Sequence, residues 1–269
     1  MPDTLTTDLG VFDSGLGGLS VLRELRALLP HQNIVYVADS ANVPYGTKTP
    51  ELIRSRSVAI ARFLVEERHA RAVVVACNTA TTHAVDLLRR TFSGVPFVGM
   101  EPAIKPAAAA TRSGVVGVLA TDATLDGERF ASLTKRHAEG IEVLTQGCPG
   151  LVEQVEAGDL SGPRTIDLLQ RYTAPLLAGG ADTIVLGCTH YPFLRDTLQG
   201  LLGPTVTLID TAAAVARQTA RVLAGRHDRD AIGAAGRVVF FTSGNPGAVR
   251  LSLKRLWEEP VQKVNQLEV

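Results

Sequence analysis

Long apolar runs, paired cysteines and an excess of either charge are all missing from this 269-residue chain. Each absence removes a class of function. No stretch of about 18 apolar residues occurs, so no membrane-spanning helix is expected. The first residues, Met1-Pro2-Asp3-Thr4-Leu5-Thr6-Thr7-Asp8, are polar and acidic. A secretory signal would be basic and then apolar, so a cytoplasmic location is expected. The 27 basic residues balance 27 acidic ones, and aromatics reach only 5%. No basic cluster interleaved with aromatics is present, so no nucleic-acid partner is expected. Three cysteines, Cys77, Cys148 and Cys188, form an odd set without CxxC spacing. That pattern argues against a disulfide framework and a structural zinc site, and leaves free thiols. The turn Gly15-Leu16-Gly17-Gly18 matches neither GxGxxG nor GxxxxGK[ST], so nucleotide binding is not expected.

What is present is a repeated sentence. Val73-Val74-Val75-Ala76-Cys77-Asn78-Thr79 and Thr183-Ile184-Val185-Leu186-Gly187-Cys188-Thr189-His190 are both short β-branched runs ending in a small residue and a cysteine. Such runs read as strands buried on both faces of a parallel sheet. Ligands collect beyond the carboxyl ends of such strands, which is where both sulfurs fall. A thiol there, followed by a helix, can also be acidified by the positive end of the helix dipole.

Strands are expected at 9–12, 34–38, 73–75 and 95–99, with helices between them, including one from Thr49-Pro50 to about His69. The pattern then restarts, with strands at 115–119, 141–144, 183–186 and 206–209. A helix over 163–177 should be kinked or shortened by Pro175. Cys77 and Cys188 are 111 positions apart, as are Phe97 and Leu208. The spacing predicts an internal duplication: an α/β protein of two pseudo-symmetric domains, each a mostly parallel sheet flanked by helices, with a cleft between them. The first domain is expected over 1–98 plus 211–269 and the second over 99–210. The tail, with a helix over 212–223, a strand at 238–241 and a last helix over 247–257, should pack back on the first domain.

Two thiols on facing walls suit one reaction in particular. Inverting a tetrahedral carbon by proton exchange needs a base on one side and an acid on the other, and a thiol can serve as either near neutral pH. Asp13, ending the first strand in a glycine-rich turn, is a candidate partner for one thiol, although it could simply cap the next helix. His190, two residues after Cys188, is a candidate for the other. Glu153, on an early helical turn, is a weaker acidic candidate. Cys148 follows no comparable strand and reads as structural.

The motifs Asp13-Ser14-Gly15-Leu16-Gly17-Gly18-Leu19, Pro44-Tyr45-Gly46, Cys77-Asn78-Thr79-Ala80 and Leu186-Gly187-Cys188-Thr189-His190-Tyr191-Pro192 together resemble the glutamate racemase family. That resemblance implies interconversion of L- and D-glutamate without a cofactor, supply of D-glutamate to peptidoglycan, and a homodimer. It implies that Cys77 acts on D-glutamate with Asp13 beside it, and Cys188 on L-glutamate with His190 beside it. It places Ser14, Pro44, Tyr45, Gly46, Asn78, Thr79, Thr121 and Thr189 around the substrate, with Asp13 and His190. It also puts an acidic residue, here Glu153, close to the site. Three alternatives stay open from the residues alone: a related two-thiol racemase for aspartate or a hydantoin, a binding protein that retains the fold, and a redox protein that joins Cys77 to Cys188.

Overall fold

The computed structural model describes residues 7–224 and 235–269. The leading stretch over 1–6, and 225–234 of the segment before the last strands, lie outside the described residues. The first unit alternates Leu9–Asp13 (β1), Leu19–Leu28 (α1), Ile34–Ala38 (β2), Pro50–Arg62 (α2), Ala72–Val75 (β3), Asn78–Thr91 (α3) and Phe97–Val98 (β4). Residues of β1, β2 and β3 are buried throughout, which is why they carry Val, Ile and Leu without alternation.

The second unit runs through Ile104–Ala110 (α4), Val115–Ala120 (β5), Asp122–Leu125 (α5), Glu128–His137 (α6), Glu142–Gly147 (β6) and Leu151–Glu156 (α7). It closes with Pro163–Ala178 (α8), Thr183–Leu186 (β7), Arg195–Leu202 (α9) and Thr207–Ile209 (β8). The tail adds Ala212–Ala224 (α10), Val238–Thr242 (β9), Pro246–Leu256 (α11) and Val264–Gln266 (β10).

Among the described residues the strands form two sheets, ordered β10-β9-β2-β1-β3-β4 and β6-β5-β7-β8, and every pairing is parallel. The order β2-β1-β3-β4 in one sheet repeats as β6-β5-β7-β8 in the other, so the duplication inferred from spacing is visible as topology. In each unit the chain reverses direction across the sheet between the first and third strands. That reversal opens a crevice at β1/β3 and another at β5/β7. The tail extends the first sheet, with β9 beside β2 and α10 against α1.

Local differences from the sequence expectation have local causes. Thr49 caps α2 by accepting the Leu52 N–H, with Pro50 at the first helical position. The α-helix does not reach His69, however. It passes at Phe63–Glu67 into a π-helical turn, and His69 ends the segment at φ 54°. Pro175 falls in the last turn of α8, which stops at Ala178. Strand β10, only three residues long, carried no periodic signal and was not anticipated.

Candidate active site

Each crevice receives the residues that end its two strands. Asp13 closes β1 and Cys77 follows β3, while Thr121 follows β5 and Cys188 follows β7. Cys77 caps α3: its Sγ accepts the Ala80 N–H at 3.4 Å and lies 4.0 Å from Ser14 Oγ. Cys188 differs, because Pro192 draws the next residues into a short 3-10 turn, Tyr191–Leu194, before α9 begins. Both thiols are nearly buried, at 5% and 8% exposure, and both line one cavity. Ser14, Pro44, Tyr45, Gly46, Asn78, Thr79, Thr121, Thr189 and His190 line it with them. Its free volume is about 10 Å³, room for about one water molecule. A roomier cavity of about 320 Å³ lies elsewhere, where the chain crosses between the units, and includes Arg89, Met100, Arg129 and Thr211.

Beside Cys188 stands a chain of polar groups. His190 Nδ1 is 3.7 Å from the sulfur, and Nε2 is 2.7 Å from Glu156 Oε1. Glu156 also accepts the Leu16 N–H at 2.6 Å, and the Gly17 nitrogen lies 3.1 Å from His190 Nε2. The glycine turn of the first unit thus clasps the histidine of the second. Burial works against a charge on His190, but its hydrogen bonds to Cys188 and Glu156 outweigh this and hold its pKa well above the ordinary value. An imidazolium there can hold a thiolate or return a proton to it.

On the opposite side, Asp13 is fully buried, and its Oδ2 accepts the N–H groups of Gly15 at 3.3 Å and Gly18 at 3.0 Å. Its Oδ1 has no hydrogen-bond partner among the described residues. Burial pushes the Asp13 carboxyl upward, and the nearby His190 charge restrains the shift. The Cys77 thiol is also driven well above its ordinary value, first by burial and then by the negative charge of Asp13. The Ala80 N–H at the start of α3 pulls the other way but is outweighed, so on balance the thiol is not acidified, contrary to the sequence expectation. Taking a buried sulfur out of water costs more than one N–H contact returns.

Two further groups were not singled out in the sequence. Glu153 does not join the cluster: it is exposed on α7, and Glu156, one turn later, makes the contact with His190. The reason is helical phase. At about 100° per residue, Leu151, Val152 and Val155 define the buried face, Glu153 points away from it and Glu156 borders it. That apolar phase was the available signal. Thr124 is buried and completes a ring of hydroxyls, with Thr79–Thr121 at 2.9 Å, Thr79–Thr124 at 3.1 Å and Thr121–Thr124 at 2.9 Å. The ring joins α3 of one unit to the β5–α5 corner of the other. Asn78 lines the same cavity, and neither its side-chain oxygen nor its nitrogen has a partner among the described residues. A buried amide in that condition is poised for a polar ligand.

Among the described residues, no group of three His, Cys, Asp or Glu side chains is placed to hold a metal ion. No helix among them is long and apolar enough to cross a membrane. The model of the Asp/Glu/hydantoin racemase family matches residues 19–219. The chain belongs to that family, and within it to the glutamate racemases. It is 55% identical to the glutamate racemase of Pseudomonas putida over 251 residues, 93% of this chain and 94% of the relative. The Escherichia coli glutamate racemase, solved with L-glutamate and an activator, superposes with a TM-score of 0.84 at 36% identity, covering 97% of this chain and 98% of that one. The Francisella tularensis glutamate racemase, solved with D-glutamate, gives 0.84 at 27% identity, covering 98% of each chain.

Proposed function

We propose that the chain interconverts L- and D-glutamate by two opposed proton transfers, with Cys188 exchanging the α-proton of the L enantiomer and Cys77 that of the D enantiomer. The observation that carries this reading is that both thiols line one narrow cavity, each from a different unit. One thiol must be protonated and the other not. Burial and Asp13 keep the proton on Cys77, while His190 stands ready to stabilise a thiolate on Cys188. The resting arrangement therefore favours Cys188 as the base toward L-glutamate. Transfer in the opposite direction needs Cys77 to lose its proton, and Asp13, with an upshifted carboxyl and an Oδ1 unpaired among the described residues, can receive it.

The carbanion formed at the α-carbon spreads charge onto the carboxylate. The hydroxyls of Ser14, Thr79, Thr121 and Thr189, and the Asn78 amide, are available to hydrogen-bond that charge. A well-placed donor of this kind contributes about 3 kcal/mol to lowering the barrier. The cavity must widen to admit glutamate and close again to exclude water, so the two units should differ in relative angle with and without substrate. In this reading the units comprise 1–98 plus 211–269 and 99–210. The protein would act as a cytoplasmic homodimer supplying D-glutamate to peptidoglycan.

The test is circular dichroism of the purified protein with each enantiomer and no added cofactor. Decay of the signal to zero from both sides is expected. Cys77→Ala and Cys188→Ala should each abolish racemisation, and full activity in either variant would overturn the two-thiol scheme. Turnover of aspartate with glutamate untouched would reassign the substrate.

A further inference from the structure

Asp39 lies behind the site and does not line it, yet it gathers more donors than any group described above. It is fully buried, following β2. Arg56 grips it through both ends of its guanidinium, with Nε 3.0 Å from Oδ2 and Nη2 2.8 Å from Oδ1. The Ser243 hydroxyl donates to Oδ1 at 2.6 Å, and the Tyr45 hydroxyl to Oδ2 at 2.6 Å. Asn42 adds its amide at 3.2 Å. Burial opposes the charge, but the bonds from Arg56, Ser243 and Tyr45 hold Asp39 below the usual carboxylate range. The backbone N–H of Asp39 also donates to the Asp13 carbonyl at 2.9 Å, so the knot is joined to the catalytic turn.

Of these donors only Tyr45 belongs to the wall of the cavity. The following residue, Gly46, meets the other unit so closely that a Cβ there would stand 2.7 Å from Thr121 Cβ. The Pro44-Tyr45-Gly46 wall is therefore gripped from behind by one carboxylate and pressed from the front by Thr121. We propose that Asp39, clamped by Arg56 and Ser243, is the positioning residue that fixes this wall over Cys77 and so sets how tightly the substrate is held. This rests on the racemase reading above, and deepens it by naming what holds one side of its pocket.

A wall that is merely loosened still carries its ring and its backbone. The loss should fall on binding before it falls on proton transfer. For Asp39→Asn we expect KM for both enantiomers to rise about tenfold while kcat falls less than about threefold. Tyr45→Phe, which keeps the ring and removes the tether, should act in the same sense. Because both variants cut one tether, adding Tyr45→Phe to Asp39→Asn should change KM less than about twofold further. A general loss of structure would instead lower kcat and the melting temperature together, and the two substitutions would multiply.

The experiment pairs those kinetics with alkylation of Cys77 by iodoacetamide in the full-length protein, mapped by peptide mass. Cys77 is nearly buried and burial drives its thiol well above the ordinary value, so its reaction should be slow. It should quicken about tenfold or more in Tyr45→Phe and Asp39→Asn if the wall has loosened. Ser243→Ala, milder, should fall between native and Asp39→Asn. Unchanged KM with unchanged alkylation in both variants would overturn the proposal, as would multiplicative effects on KM. A native protein inert toward both glutamates, with alkylation still quickened by the variants, would overturn the racemase reading and leave the positioning role of Asp39 standing.

Discussion

Gly17→Ala tests the contact between the two units at the site, and the packing around Gly17 sets the size of its effect. Gly17 does not have a positive φ, so alanine brings no backbone strain. The obstacle is contact: a Cβ built at Gly17 lies 2.6 Å from both Cε1 and Cγ of His190, and nearer still to Nδ1. Non-bonded carbons settle at about 3.5–4.0 Å, so the ring must retreat by roughly 1 Å. It cannot do so and still keep Glu156 at 2.7 Å and Cys188 at 3.7 Å. A displacement of about 1 Å in a catalytic group costs on the order of a hundredfold in rate, or about 2.7 kcal/mol. The equilibrium constant between enantiomers is one, so kcat/KM must fall equally in both directions, and rates alone cannot show which thiol is impaired. Isotope effects can. If Cys188 serves the L face, its transfer becomes the slow step in both directions. The effect with α-deuterated L-glutamate should then rise and that with α-deuterated D-glutamate should shrink toward one. Native rates in Gly17→Ala, or a larger effect on the D side, would refute the reasoning. Gly200→Ala, where a Cβ meets nothing within 4 Å among the described residues, is the control and should leave the rates unchanged.

Two further predictions follow from single residues. Glu156→Gln should lower kcat by roughly tenfold to a hundredfold, since it weakens the charge-assisted bond that orients His190, whereas Glu153→Gln should change it less than about twofold; equal losses would restore Glu153 to the site. Asp182, despite partial burial, is held at a pKa of about 2 by the Thr111 hydroxyl and the N–H groups of Arg112 and Ser113, aided by Thr183. Its folded value lies below the ordinary 3.8, so its stabilisation is present above that pH and is lost as pH falls toward 2. Melting curves of native protein and Asp182→Asn should therefore converge between pH 4 and 2, and a constant gap would contradict the linkage.

What the sequence disclosed, and what it concealed, follows from the range over which each signal acts. Strands β3 and β7 and the thiols after them are legible because a buried parallel strand leaves an unbroken β-branched run, and the chain must turn where that run ends. The duplication shows because both units keep those turns at similar spacing. Glu156 was missed by one turn, since α7 has only six residues and its phase is set by Gly150, whose φ of 91° starts the helix. Once that start is known, the apolar face selects Glu156 over Glu153. Thr124 and the knot around Asp39 are of another kind. Ser243 comes from far along the chain and Arg56 from a neighbouring helix, and nothing local marks either as a partner of Asp39. The high pKa of Cys77 was hidden for the same reason: helix position is local, but burial and the charge of Asp13 belong to the assembled site.

The central claim is that two thiols act from opposite sides of the α-carbon, and proton bookkeeping in D₂O tests it most directly. Starting from L-glutamate, the first D-glutamate formed should carry deuterium at the α-carbon, delivered by the exchanged Cys77 thiol. Unconverted L-glutamate should retain its hydrogen, because Cys188 returns the proton it took. The mirror result is expected from D-glutamate. Early product that keeps the original hydrogen from either side would mean one base serving both faces, and the two-thiol account would fall.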